Sequence, residues 1–195
     1  ENRGEEILIP DAETIDFGIF NLLKWSYQKL TLIGGGRYDQ RNIITKETNP
    51  LDSVNFRESL NLKYNNFSGS AGLSYSLNEK IILRGNVASG FRSPNTAELT
   101  SKGVHEGTNR FEIGDKNLKK ETNLEYDIST HYHSEHISLD IGGFYNLMNQ
   151  YIYLQPTDSF TSDNVKIFYF NQLTGPMKCL ILSKLSILLF ANRAA

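Results

Sequence analysis

Side chains switch between apolar and polar at every second residue in repeated runs along this chain, the signature of strands with two unlike faces. The clearest run sets Phe67, Ala71, Leu73, Tyr75 and Leu77 against Ser68, Ser70, Gly72, Ser74 and Ser76. A helix would scatter both sets over every face. Residues 14–27 place Ile15, Phe17, Ile19, Leu23, Trp25 and Tyr27 on one side, and Leu30, Leu32, Gly34, Gly36 and Tyr38 continue after a turn. Ile81, Leu83, Gly85, Val87 and Phe91 stand opposite Arg84, Asn86 and Arg92. Leu124, Tyr126, Ile128, Thr130 and Tyr132 stand opposite Glu125, Asp127, His131 and His133. Ile137, Leu139, Ile141, Gly143 and Tyr145 predict a further strand, extended by residues 151–153, and a last candidate covers residues 165–171.

The connections are of two kinds. Residues 27–29, 78–80 and 134–136 are short turns, whereas residues 40–65, 93–120 and 155–164 are long and polar, and the two kinds alternate. Several runs reach the roughly 9 to 11 residues that a tilted membrane-crossing strand needs. Trp25, Tyr27, Tyr75 and Tyr132 fall near the short turns, with Tyr38, Phe67 and Phe91 toward the other end, as two aromatic girdles would require. The expected fold class is therefore all-β: an antiparallel up-and-down meander of about seven strands, forming part of a transmembrane β-barrel. Seven strands with two free edges leave unpaired backbone groups in lipid, so further strands are expected outside this sequence.

Composition removes other classes. The net charge of −2 comes from 20 basic and 22 acidic residues spread along the chain, which leaves no basic stripe for nucleic acid. The single cysteine, Cys179, excludes an internal disulfide framework and a Cys-rich zinc site. No run of about 20 apolar residues predicts a spanning helix. Residues 1–9 have neither a basic start nor an apolar core, so an exported barrel would have further sequence, including its signal, upstream.

The stretch Gly90-Phe91-Arg92-Ser93-Pro94-Asn95, Glu98-Leu99, Gly103-Val104-His105-Glu106-Gly107-Thr108, Phe111-Glu112-Ile113-Gly114 and Asn117-Leu118-Lys119-Lys120-Glu121 resembles TonB-dependent outer-membrane receptors. In that family a strand ending Gly-Phe-Arg-x-Pro enters an external loop, and a Gly-x-x-x-Leu-x-x-Glu pattern, here Gly114, Leu118 and Glu121, opens the returning strand. The resemblance covers roughly residues 14–171. It implies import of scarce ligands such as iron chelates or cobalamin. The implied partners are outer-membrane lipid, the remaining barrel strands, a plug domain and, through that plug, TonB; neither the plug nor its TonB-binding box is visible in this sequence. Such a portion is not expected to transport anything alone.

The motif residues have a structural reading. Pro94 ends its strand for want of an N–H, Gly103, Gly107 and Gly114 permit loop turns, and Arg92 can pair with Glu121 across neighbouring strands. His105, Glu106 and Arg110 form a polar cluster on the loop expected to face outside, where ligand contact would occur.

Other constellations read more plainly. His131, His133 and His136 could suggest a metal site, but strand spacing puts the first two in a hydrated lumen and the third in a turn. Gly34-Gly35-Gly36 lies within a strand and lacks a following helix and Lys-Ser/Thr, unlike a phosphate loop. No nucleophile elbow or zinc-protease signature occurs, so neither enzymatic activity nor a cofactor or metal is expected. An outer-membrane barrel hydrolase and a soluble all-β binding module are the alternatives from other classes.

Residues 176–195 depart from the pattern. Acidic residues stop after Asp163 and alternation stops after Pro176. Residues 1–175 are thus read as the partial barrel and residues 176–195 as an atypical tail, irregular or helical, such as a shifted reading frame would produce.

Overall fold

The computed structural model describes residues 8–48 and 56–189. Seven long strands form one sheet: β1 (Ala12–Tyr27), β2 (Leu30–Thr45), β3 (Asn61–Ser76), β4 (Ile81–Arg92), β7 (Glu121–His133), β8 (Ile137–Asn149) and β11 (Met177–Leu189). Every neighbouring pair is antiparallel, so the sheet is an up-and-down meander, not closed into a barrel by these strands. Four shorter strands, β5 (Lys102–His105), β6 (Arg110–Ile113), β9 (Ile152–Phe160) and β10 (Lys166–Gln172), form a second sheet in the order β5-β6-β10-β9.

The pairing register turns alternation into two faces. Phe17, Gln40 and Asn65 share a row, as do Ile19, Tyr38 and Phe67, and Tyr75, Leu83, Thr130 and Ile141 share another. One face therefore gathers most of the aliphatic and aromatic residues, while Phe20, Leu22 and Ile33 stand on the other. Phe67 is 79% exposed and Ile128 71% exposed, and no second sheet covers them among the described residues. A sandwich would bury this face; lipid is the solvent that suits it. The opposite face carries Lys24, Arg37, Asp39, Arg41, Arg84, Asn86, Glu125 and Asp127, as a water-filled or plugged lumen allows.

Both girdles are present. Trp25 stacks on Tyr27 with ring centroids 5.9 Å apart beside the first short turn. Tyr38 meets Phe67 at 4.9 Å toward the far end. Short turns close tightly: Gln28 takes a left-handed φ of 50°, and Asn78 Oδ1 accepts the N–H groups of Lys80 and Ile81, each at 2.9 Å.

Four details differ from the sequence reading. Strands β2 and β3 run on to Thr45 and Asn61, pairing at Ile44↔Asn61, so the first long connection is residues 46–60. These strand ends rise above the apolar band, where exposed Lys63 and Asn65 cost little, and so no apolar pattern announced them. Residues 151–153 do not prolong β8, because Gln150 adopts φ 59° and breaks the strand. The candidate at residues 165–171 is β10, in the second sheet, and residues 155–160, expected as loop, belong to its partner β9.

The expected irregular or helical tail is the fourth correction: Met177–Leu189 is strand β11, pairing antiparallel with β8 from Met177↔Met148 to Leu189↔Ile137, with a register shift between Ser183 and Ser186. Its run of apolar residues conceals a period of two, but β8 offers a ladder edge that a strand satisfies. Residues 190–195 lie outside the described residues.

Candidate functional site

The long sheet buries almost nothing by itself, and the hydrophobic core lies at its upper end. Ile43 of β2, Leu99, Leu118 and Ile152 are each 5% exposed or less, with Leu62, Tyr64 and Phe170 packed around them. This cluster gathers residues from two strands and from both long connections that follow β4 and β8. It seats the loops on the barrel mouth.

Charge completes the seat. Glu121, at the start of β7, faces Arg92, the last residue of β4. Arg92 donates through Nε to Glu121 Oε2 and through Nη2 to Glu121 Oε1 at 2.8 Å, while its Nη1 donates to both oxygens of Glu98 at 2.8 and 2.9 Å. Glu98 and Glu121 are only 8% and 7% exposed. Buried carboxylates need such partners, and the fork of guanidinium N–H groups serves two at once. Glu121 Oε1 also accepts the N–H of Ile152 at 2.6 Å.

Local sequence explains how Glu98 reaches this node. Pro94 is buried and follows the end of β4, and Asn95 then caps a short helix, α1 (Thr96–Thr100). Asn95 Oδ1 accepts the N–H of Glu98 at 2.8 Å and Glu98 Oε2 accepts the N–H of Asn95 at 2.8 Å, a reciprocal capping box. The chain then turns so that Gly114 lies against the end of α1. A Cβ at Gly114 would stand 2.6 Å from the Thr100 nitrogen and 2.7 Å from the Leu99 carbonyl carbon.

The two loops share one sheet. β6, from the connection after β4, pairs in parallel with β10, from the connection after β8, over Arg110↔Lys166 to Ile113↔Tyr169. Gln172 adds a clamp: its Nε2 donates to the carbonyls of Lys119 at 2.7 Å and Gln150 at 2.6 Å, and its Oε1 accepts the N–H of Lys119 at 3.0 Å. Outside the strands, Arg57 donates through Nη2 to the Lys102 carbonyl, and burial pushes its pKa below the ordinary value.

Among the motif residues, Arg92, Glu98 and Glu121 meet directly, and Leu99 and Leu118 share the core. Phe91 lies on the lipid face, and Gly90 faces Asn123, whose Oδ1 would stand 2.5 Å from a Cβ there. The expected role of glycines in loop turns is corrected: no described glycine has a positive φ, and Gln28, Asn109, Gln150 and Asn164 take the left-handed positions. Gly103 is in β5 opposite Glu112, Gly107 is in a single 3-10 turn, and Gly114 serves close approach. His105 and Arg110 face each other across β5 and β6. His105 Nδ1 lies 3.1 Å from Thr108 Oγ1; Arg110 Nε donates to Glu112 Oε1 at 2.6 Å and its guanidinium sits 5.6 Å above the Phe168 ring. The side chain of Glu106 lies outside the described residues. His131 Nδ1 meets Asp140 Oδ1 at 2.5 Å and His131 stacks on His133.

Residues that carried no sequence signal include Ile152, whose contribution is a backbone N–H, and Gln172, one polar residue among many. Asn95 did have one, in its spacing to Glu98.

Below the mouth, the lumenal face holds two more ion pairs. Arg41 grips Asp16 with bonds of 2.7 and 2.6 Å. Arg37 grips Asp39 with bonds of 2.6 to 2.8 Å, lying across Gly18, where a Cβ would come within 2.6 Å of its Nη2.

Comparison with known proteins supports the same architecture. The family model described as TonB dependent receptor-like, beta-barrel matches residues 5–178. Among solved structures, the Serratia marcescens hemophore receptor HasR, a double mutant in complex with its hemophore HasA and heme, superposes with a TM-score of 0.73 at 14% identity, covering 92% of this chain and 32% of that one. The copper transporter OprC gives 0.68 at 15% identity, covering 87% and 25%. The FrpB iron transporter from Neisseria meningitidis, F3-3 variant, gives 0.56 at 18% identity, covering 82% and 22%. The chain thus spans between about a fifth and a third of the length of these structures, and the likeness is one of fold.

Proposed function

The chain belongs to the family of TonB-dependent receptor β-barrels, and on that premise we propose that it forms part of the wall and mouth of an outer-membrane receptor that imports scarce ligands, iron chelates or cobalamin. The fused pair of loops seated on the Arg92–Glu98–Glu121 node carries this reading. A rigidly held mouth above a polar lumen suits capture from outside followed by passage inward. The lumenal pairs Arg41–Asp16 and Arg37–Asp39 would face a plug domain, and energy would come from TonB through that plug. Without plug and remaining strands this portion does not transport.

His105, Glu106 and Arg110 are the ligand contacts in this reading. Arg110 keeps its Nη groups available beyond the Nε bond to Glu112, which suits an anionic chelate.

The test is uptake by cells whose only receptor carries this chain, followed with 55Fe-labelled siderophores and with labelled cobalamin, with and without TonB. Accumulation of one ligand that depends on TonB, with half-saturation raised about tenfold by combined His105→Ala, Glu106→Gln and Arg110→Gln at unchanged receptor level, is the expected result. Uptake indifferent to TonB would remove the transport reading. Unchanged half-saturation in the triple variant would remove those three residues from it.

A further inference from the structure

The chain has two methionines and one cysteine, and the sheet brings all three to one place. Met177, the first residue of β11, lies directly opposite Met148 of β8, and Cys179 lies opposite Asn146. Residues opposed in register share a face, and so do residues two apart in one strand. The three sulfur-bearing side chains therefore stand together at the upper end of β8 and β11. Their face is the lumenal one, the face of Glu125, whose Oε2 accepts the Asn146 Nδ2 group at 2.9 Å.

Packing does not account for this grouping. Its neighbours are polar, with Asn123 opposite Met148 on β7, and Met177 is 40% exposed. Cys179 is an exposed free thiol. Thioethers and a thiol turned to water add little to a fold, but they are soft donors of the kind that selects copper(I). Zinc takes thiolate, imidazole and carboxylate instead of thioether.

Strand geometry lets the three act on one ion. Directly opposed residues have Cβ atoms about 5 Å apart and diagonal ones about 7 to 8 Å, and methionine spans such gaps with three rotatable bonds. Asn146 Oδ1, on the residue opposite the thiol, is buried and accepts no hydrogen bond, an orphaned atom such as an ion or its water satisfies.

We propose that Met148, Met177 and Cys179 form a copper(I) site on the lumenal wall of the mouth. Binding replaces the thiol proton of Cys179 by the ion and releases that proton to water. The two thioethers complete a set of three sulfur donors. Copper enters and leaves as copper(I), so no electron is transferred. The site does not rest on the import reading, and either can fail without the other.

The experiment uses the whole receptor that contains this chain, purified in dodecyl maltoside and shown to be folded by heat-shifted migration on gels. Copper(I), kept reduced by ascorbate under argon and buffered with bathocuproine disulfonate, is titrated against it. Alkylation of Cys179 by N-ethylmaleimide is then read by mass spectrometry of the peptide that contains it. Copper(I) should protect the thiol, and zinc at the same free concentration should not. Met148→Leu and Met177→Leu keep side-chain size and should each raise the half-protecting concentration about tenfold or more, since even supporting groups around a metal contribute that much. Half-protection within twofold of wild type in the double leucine variant would reduce the site to a lone thiol and overturn the proposal. Equal protection by zinc would overturn it as well, and that contrast needs no variant to fold.

Discussion

The carboxylate of Glu121 holds the backbone N–H of Ile152 at 2.6 Å while its two oxygens take the Nε and Nη2 groups of Arg92. One side chain thus joins the end of β4, the start of β7 and the start of β9. It ties the wall to both loops at once.

Replacing Glu121 by alanine leaves a buried N–H unpaired and removes half of Arg92's partners. The expected cost is about 2 to 4 kcal/mol, read as a lowered midpoint of heat-shifted migration in detergent. Glu121→Gln keeps an acceptor for Ile152 and should lose distinctly less. Equal midpoints for alanine and wild type would show that the node carries no stability.

Gly114→Ala places a methyl group 2.6 to 2.8 Å from three backbone atoms at the end of α1. Backbone cannot step aside as a side chain can, so a loss of about 1 to 3 kcal/mol follows. Limited proteolysis should show earlier cutting within residues 93–120 and unchanged resistance of the long strands.

Gln172→Ala removes three hydrogen bonds that hold Lys119 and Gln150. Hydrogen exchange should rise together in residues 110–113 and 166–172, because the two segments form one ladder. Faster exchange in only one of them would mean that the loops open independently.

The two faces of the long sheet should tolerate charge differently. Ile128→Arg, on the lipid face near mid-strand, is expected to cost about 2 to 4 kcal/mol in urea titrations of vesicle-inserted receptor. Ser70→Arg, on the lumenal face, should cost less than half of that. Similar losses at both positions would contradict the assignment of faces.

Most of the long sheet was legible because membrane strands are decoded locally: Phe67 to Leu77 declares its two faces without reference to any partner. The pairing of Arg92 with Glu121 was equally readable, since Pro94 and Gly114 bracket the loop that returns one to the other. The second sheet was not. β5 and β6 have four residues each, too few for a period to emerge, and the second partner of β6, beside β5, is β10, more than fifty residues on. The upper parts of β2 and β3 and the whole of β11 were hidden for opposite reasons. Arg41, Asn42 and Lys63 stand where no apolar face is needed, and the run from Cys179 to Leu182 is apolar at every position. The seat of the loops depends on a backbone N–H at Ile152 and an amide at Gln172, and neither has a signature in sequence.

Parallel pairing of β6 with β10 also bears on how this mouth can change over generations. Two segments that share a ladder and a clamp cannot drift separately, because an insertion or reshaped strand in one strips partners from the other. Variation that reshapes the mouth while preserving the fold must therefore arrive in both segments, and a loop exchange between related barrels would have to transplant residues 93–120 and 150–176 as one cassette.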